Sequence, residues 1–182
     1  GTREAHHALA RRAAAESAVL LKNEGGLLPG NPAQSAAVIG AFAKTPRYQG
    51  SGSSRINPTR VDCACDELAA LGLNFDYAPG YDLAADAPDE ALIREACEAA
   101  KGKDIVYLFA GLPDRYESEG FDREKLTLPA SHIALIERVY EANPNLAVIL
   151  SGGSVIDLSW EAGARALLLG GLGGQAGAGF WQ

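Results

Sequence analysis

Short runs of apolar residues, each bounded by turn formers, constrain the fold of this chain more than any other feature. AAVIGAFA (36–43), DIVYLFAG (104–111), LAVILSGG (146–153) and RALLLGGLGG (165–174) are too short for ordinary helices and lack the polar alternation of a half-exposed strand. They read as strands buried on both faces, and NFDYAPGY (74–81) reads as a further strand. Between them lie stretches with helical spacing: VDCACDELAALG (61–72), PDEALIREACEAAKGK (88–103) and LPASHIALIERVYEANP (128–144). A fourth, AHHALARRAAAESAVLLK (5–22), opens the chain and reads as one helix stopped by Asn23 and Gly25. Buried strands alternating with amphipathic helices predict an α/β fold. The expected form is an open, mostly parallel sheet between two layers of helices, a single domain over residues 1–182. The last strand leads through the Gly-dense stretch 170–179 to the end at Gln182, so the sheet is expected to be truncated there, a domain cut from a longer protein. Trp181 is placed to cover apolar surface near that end.

Charge and cysteine usage exclude several functions. The net charge is −7, against the clustered Lys and Arg that phosphate backbones require, so no nucleic-acid partner is expected. No run reaches the roughly 18 apolar residues of a membrane span, and no signal peptide is visible, so no membrane partner is expected either. Three cysteines, Cys63, Cys65 and Cys97, make no disulfide framework, and C-x-C alone makes no zinc site. They read as thiols of a reducing compartment, so a cytoplasmic setting is expected, with secretion or export to a periplasm left open. His6, His7 and His132 are scattered, and no metal or cofactor is expected.

In open parallel sheets, ligands gather beyond the carboxyl ends of the strands. Three unusual loops leave those ends, at 47–54, 116–123 and 170–179. The first contains GSGSS (50–54), which lacks the Gly-Lys-Ser/Thr of a phosphate loop and the third glycine of a dinucleotide fingerprint. A nucleotide site stays open as a weak alternative, beside a solvated loop with no task. The third reading is a site for a polar, uncharged ligand. Arg47, Tyr48 and Gln49 supply a cation, a stacking ring and an amide there, with the hydroxyls of Ser51, Ser53 and Ser54 beside them, a mixture that suits sugars. Ser151 and Ser154 have no histidine at predictable reach and do not read as nucleophiles. Asp157 and Trp160 read as fixing their own loop.

The second loop, within YESEGFDREKLTLP (116–129), crowds carboxylates around a glycine. It is either a solvated acidic loop or the mount of a carboxylic acid that donates and then takes a proton. Glu119 is the candidate. Gly120 permits a tight turn and close approach of a substrate, and Asp122 and Arg123 can hold the loop by pairing with each other or with backbone. Such an acid needs a pKa near the working pH, reached by partial burial or by a second carboxylate.

Several stretches resemble glycoside hydrolase family 3, the β-glucosidase family, and specifically the α/β sandwich domain that packs against a (β/α)8-type barrel in those enzymes. AAAESAVLLKNEGGLLP (13–29) resembles that domain's opening, AVIGAFAKTPRYQGSGSSRINPT (37–59) its first strand and loop, SEGFDREKLTLP (118–129) its acid/base motif, and GGLGGQAG (170–177) the loop before its last helix. The resemblance implies that Glu119 is the general acid/base, in a pattern E-G-Tyr/Phe-D-R, with Ser118 where many members have Gly. Glu117 is a rival that lacks the following Gly. The loop 47–54 would border the mouth of the active site. The nucleophile, an Asp of the barrel, is absent, so the chain is expected to supply the acid/base half of a retaining β-glycosidase and to need the barrel as partner and a carbohydrate as substrate. A Glu donor favours the glucosidase and xylosidase branch. The rival is a non-catalytic module that only packs or binds sugar. Sugar, linkage and aglycone are not legible.

Overall fold

The computed structural model describes residues 1–120 and 122–181; Phe121, Gln182 and the side chains of 179–181, including the Trp181 ring, lie outside that description. The strands are β1 (Val19–Asn23), β2 (Ala36–Ile39), β3 (Phe75–Ala78), β4 (Ile105–Gly111), β5 (Leu146–Ser151) and β6 (Ala166–Leu169). The helices are α1 (Thr2–Ser17), α2 (Ala64–Ala70), α3 (Glu90–Ala100) and α4 (Ala130–Ala142). The strands form one sheet in the order β1-β6-β5-β4-β2-β3, parallel throughout except for β1, which runs antiparallel along β6. This is the expected mostly parallel α/β sandwich.

The opening segment departs from expectation. The single helix predicted over 5–22 ends at Ser17, Ala18 turns to extended backbone (φ −68°, ψ 139°), and Val19 to Asn23 become an edge strand. The free edge of β6 decides this. Val19 pairs with Leu169 and Asn23 with Ala166, which satisfies backbone groups that would otherwise face solvent. Local helical spacing yields to that long-range pairing. The run 36–43 also divides: β2 stops at Ile39, Gly40 takes φ +108°, and Ala41–Ala43 form a short turn of 3-10 helix.

Where the sequence is most apolar, burial is complete. Every residue of β4 is buried, as are the first five of β5. Ile93, Ala96 and Ala100 of α3 and Leu135, Ile136 and Val139 of α4 pack into the same core. The Asp89 carboxylate caps α3 by accepting from the amides of Ala91 (2.8 Å) and Leu92 (3.1 Å). Asn143, at the end of α4, donates to the carbonyls of Ala100 and Lys103, 2.8 Å each, and so joins the C-termini of the two helices. On the opposite face, Leu20, Leu28, Leu68, Leu71, Tyr107 and Leu168 line an apolar hollow of about 520 Å³. No helix among the described residues is long and apolar enough to cross a membrane. Cys63, Cys65 and Cys97 are free thiols.

A buried polar pillar stands under the carboxyl ends of β2 and β4. The Tyr81 hydroxyl donates to the Phe109 carbonyl (2.8 Å) and accepts from the Phe42 amide (3.1 Å). The His132 ring lies 3.9 Å from the Tyr81 ring, and its Nδ1 accepts from the Gly111 amide (3.2 Å). Burial presses the His132 pKa down to about 3, so it is neutral at ordinary pH and serves as a fixed acceptor. Gly111 is the last residue before the loop that carries Glu119.

Candidate active-site edge

The three loops singled out in the sequence meet at one edge of the sheet. The Gly174 amide donates to the Tyr48 carbonyl (2.9 Å), and the Ser53 amide donates to Glu119 Oε2 (2.7 Å). The first contact joins 170–179 to 47–54, and the second joins 47–54 to 116–123. The carboxyl ends of parallel strands bring these segments together whatever their separation in sequence.

Glu119 stands exposed on the loop after β4. Its carboxylate rests on the short 3-10 turn Gly52–Ser54, and the approach depends on a missing side chain. A Cβ on Gly52, at φ +83°, would fall 2.5 Å from Glu119 Cβ and 2.7 Å from Oε2. Hydrogen bonds from Ser53 hold the Glu119 pKa below the ordinary carboxylate value. The chain by itself therefore presents a carboxylate here, the reverse of the raised pKa expected of an acid donor. Gly120 takes φ +83°, the left-handed conformation that favours glycine, immediately after Glu119.

The residues of 47–54 divide between framework and surface. Arg47 is no free cation: its side chain is 3% exposed and pairs with Asp114 and, at 3.3 Å, with Glu117. Both partners belong to the loop after β4, so Arg47 braces one loop against another. The Gln49 amide closes its own loop, donating to Ile56 O and to the Tyr48 hydroxyl and accepting from Ile56 N, 3.0 Å each. The Ser51 hydroxyl donates to Asp114 O (3.4 Å), and that of Ser54 donates to Ser51 O (3.4 Å). Ser53 and Ser54 are exposed. Beside this loop a hollow of about 400 Å³ is lined by Tyr48, Gln49, Arg55, Leu83, Asp114 and Arg115. Its size and its mixed polar and apolar walls suit a small ligand.

Arg123 and Asp122 do not pair with each other among the described residues. Asp122 is exposed, and Arg123 instead reaches the turn after β5, donating to Ser154 Oγ (3.1 Å) and to the Val155 carbonyl. The sequence offered Glu117 only as a rival acid/base and Ser154 only as a rejected nucleophile, and gave no sign that the two meet. Glu117 accepts from the Gly153 amide and the Ser154 hydroxyl, and so lies at the junction of three loops. Asp157 and Trp160 fix their own turn, as read from the sequence: the indole donates to Asp157 O (2.9 Å).

A second polar cluster pins α1 to the edge. Asp62 Oδ2 meets His7 Nε2 at 2.8 Å and Arg11 Nη1 at 2.9 Å, and Oδ1 accepts from Arg60 Nε at 2.7 Å. Burial raises the Asp62 carboxyl, and these partners together outweigh it, so its pKa lies below the ordinary value. The Asp62 amide donates to Gln175 O (2.9 Å), which ties the cluster to the Gly-dense loop. Among the described residues no group of three or more His, Cys, Asp and Glu is placed to hold a metal ion.

The fold is a mostly parallel α/β sandwich with polar loops, that of Glu119 among them, gathered at its carboxyl edge. Residues 18–180 match the Glycosyl hydrolase family 3 C-terminal domain. The chain belongs to that family. It is 50% identical over 177 residues to thermostable beta-glucosidase B of Acetivibrio thermocellus, covering 96% of this chain and 23% of that protein. It is 48% identical over 184 aligned residues to an exo-alpha-(1->6)-L-arabinopyranosidase of Bifidobacterium longum, covering 96% of this chain and 24% of that protein. The crystal structure of a GH3 beta-glucosidase from Bifidobacterium adolescentis superposes with a TM-score of 0.92 at 46% identity, covering 96% of this chain and 26% of that one. The chain thus spans about a quarter of the length of these relatives.

Proposed function

We propose that this chain is one α/β sandwich domain supplying the general acid/base of a retaining β-glycosidase, completed by a (β/α)8-type barrel of the same protein. In the first step an Asp of the barrel attacks the anomeric carbon. The glycosidic C–O bond breaks, and Glu119 gives its proton to the departing oxygen. In the second step the Glu119 carboxylate takes a proton from water as that water attacks the anomeric carbon, and the barrel Asp leaves. The reaction calls for neither metal nor organic cofactor, and the three free thiols fit a cytoplasmic setting.

The observation that carries this reading is the exposed Glu119, within E-G-F-D-R, on the strand-end edge against the loop 47–54. Its lowered pKa fits a resting state. Proton donation requires the carboxyl to leave the Ser53 amide and to become covered by sugar and barrel, and both changes raise its pKa. Arg47, Tyr48, Gln49, Ser51, Ser53 and Ser54 form the rim toward the leaving group, with Arg47 bracing it from beneath. The relatives include a glucosidase and an arabinopyranosidase, which fits a division of labour in which the barrel selects the sugar.

Titrating glucose or cellobiose into isotope-labelled chain tests the reading against a module that only packs. Amide shifts are expected at 47–55 and 117–123, at millimolar ligand, with no hydrolysis of cellobiose because the nucleophile is lacking. Authentic turnover by the pure chain would contradict the division of labour. Shifts confined to other faces would favour the packing module.

A further inference from the structure

The segment carrying Glu119 leaves the protein and returns to it at the same serine. At its start, Glu117 Oε1 accepts the Ser154 hydroxyl (2.6 Å), and the Gly153 amide donates to both Glu117 oxygens (2.9 and 3.0 Å). At its end, Arg123 Nη1 donates to the oxygen of that same hydroxyl (3.1 Å) and to the Val155 carbonyl. Ser154 therefore donates to one end of the strap and accepts from the other, a dual role open to a hydroxyl and closed to a methyl. Glu117 is firmly seated: its side chain is 10% exposed, and Arg47 lies 3.3 Å from Oε2. Among the described residues Glu119 rests on Ser53, whose amide donates to its Oε2, and Gly120 follows at φ +83°.

We propose that Ser154 is a positioning residue: a latch that closes the two ends of the 117–123 strap and so sets where Glu119 stands when it leaves Ser53 for the glycosidic oxygen. This rests on reading Glu119 as the acid/base. With both ends fixed on one side chain, the apex travels along a narrow path. With the latch removed, the contacts that remain among the described residues are Arg123 with the Val155 carbonyl and Glu117 with Gly153 and Arg47, and the path widens. A misplacement of about 1 Å at a reacting group costs on the order of 10²-fold in rate. The turn 153–155 is exposed, so losing one hydroxyl there disturbs the core little.

The test compares Ser154→Ala, Ser154→Thr and Glu119→Ala in the full-length protein, on methyl and dinitrophenyl β-glucosides. Ser154→Ala is expected to lower kcat/KM for the methyl glucoside by about 10- to 100-fold. It should leave the dinitrophenyl glucoside within about 3-fold, because a good leaving group needs no proton. Thr, which keeps the hydroxyl, should recover most of the loss, and Tm should stay that of the parent. Equal losses on both substrates, or no loss while Glu119→Ala discriminates between them, would overturn the latch alone. If Glu119→Ala does not discriminate either, the acid/base reading falls and the latch with it.

Discussion

Glu119→Ala in a full-length protein carrying this chain is expected to lower turnover of alkyl glycosides by about 10²- to 10⁴-fold, the range that a positioned proton donor contributes. The loss should shrink as the leaving group improves, since a dinitrophenolate departs without help. On such substrates the second step becomes limiting, because water now lacks its base. Azide needs no base, so adding it should restore turnover and yield a glycosyl azide. The pH profile should change in a defined direction. Resting on Ser53, Glu119 has a lowered pKa, so the isolated chain should titrate it below the ordinary carboxylate range. In the working enzyme the acid form must persist, so the alkaline limb of kcat should lie above that value and should vanish in the variant. A flat dependence on leaving group would assign the proton to another residue.

Gly40→Ala carries a large expected effect on stability. Gly40 ends β2 at φ +108°, and its amide donates to the Ala78 carbonyl (3.0 Å). A Cβ there would stand 2.2 Å from the Phe109 carbonyl oxygen and 3.0 Å from its carbon. Those atoms belong to the backbone of the fully buried β4, so they cannot rotate aside as a side chain would. Backbone strain and overlap together are expected to cost about 3–5 kcal/mol. That is a large part of the roughly 5–15 kcal/mol that holds a typical domain folded. The midpoint of urea unfolding reads it directly; a shift worth less than about 1 kcal/mol would mean that this strand end has slack. Any variant that does fold should also displace the loop 41–54, and with it the Ser53 amide that receives Glu119.

What the sequence disclosed follows from the range of the interactions involved. β4 and β5 were legible because burial on both faces makes each nearly continuous apolar residues, a local signal. β1 was not, because Val19, Leu20 and Leu21 continue the helical spacing of α1. Only the open edge of β6, about 150 residues away, assigns them to the sheet. Glu119 was singled out by a compact motif, and the structure puts it on the carboxyl edge of the sheet. Arg123 was expected to hold that loop through Asp122 or backbone, and it does reach the Val155 carbonyl, but the shared partner was hidden: Glu117 and Arg123 meet Ser154 across 37 and 31 residues, and no pattern in either segment announces the other. Arg47 shows a further limit. As a residue type beside Tyr48 and Gln49 it suggests a ligand contact, and only the burial of its guanidinium between Asp114 and Glu117 shows it as a brace. His7 likewise gave no sign of Asp62, 55 positions on.

In the proposed mechanism one carboxyl group crosses from this domain to a bond held by another. A crystal structure of the full-length protein with an uncleavable thio-linked disaccharide tests it most directly. The account predicts the Glu119 carboxyl free of Ser53 and within about 2.6–3.2 Å, or one water, of the bridging sulfur, the reach of a general acid. It is contradicted if that carboxyl remains on Ser53, turned to solvent, while another acid occupies the position beside the sulfur.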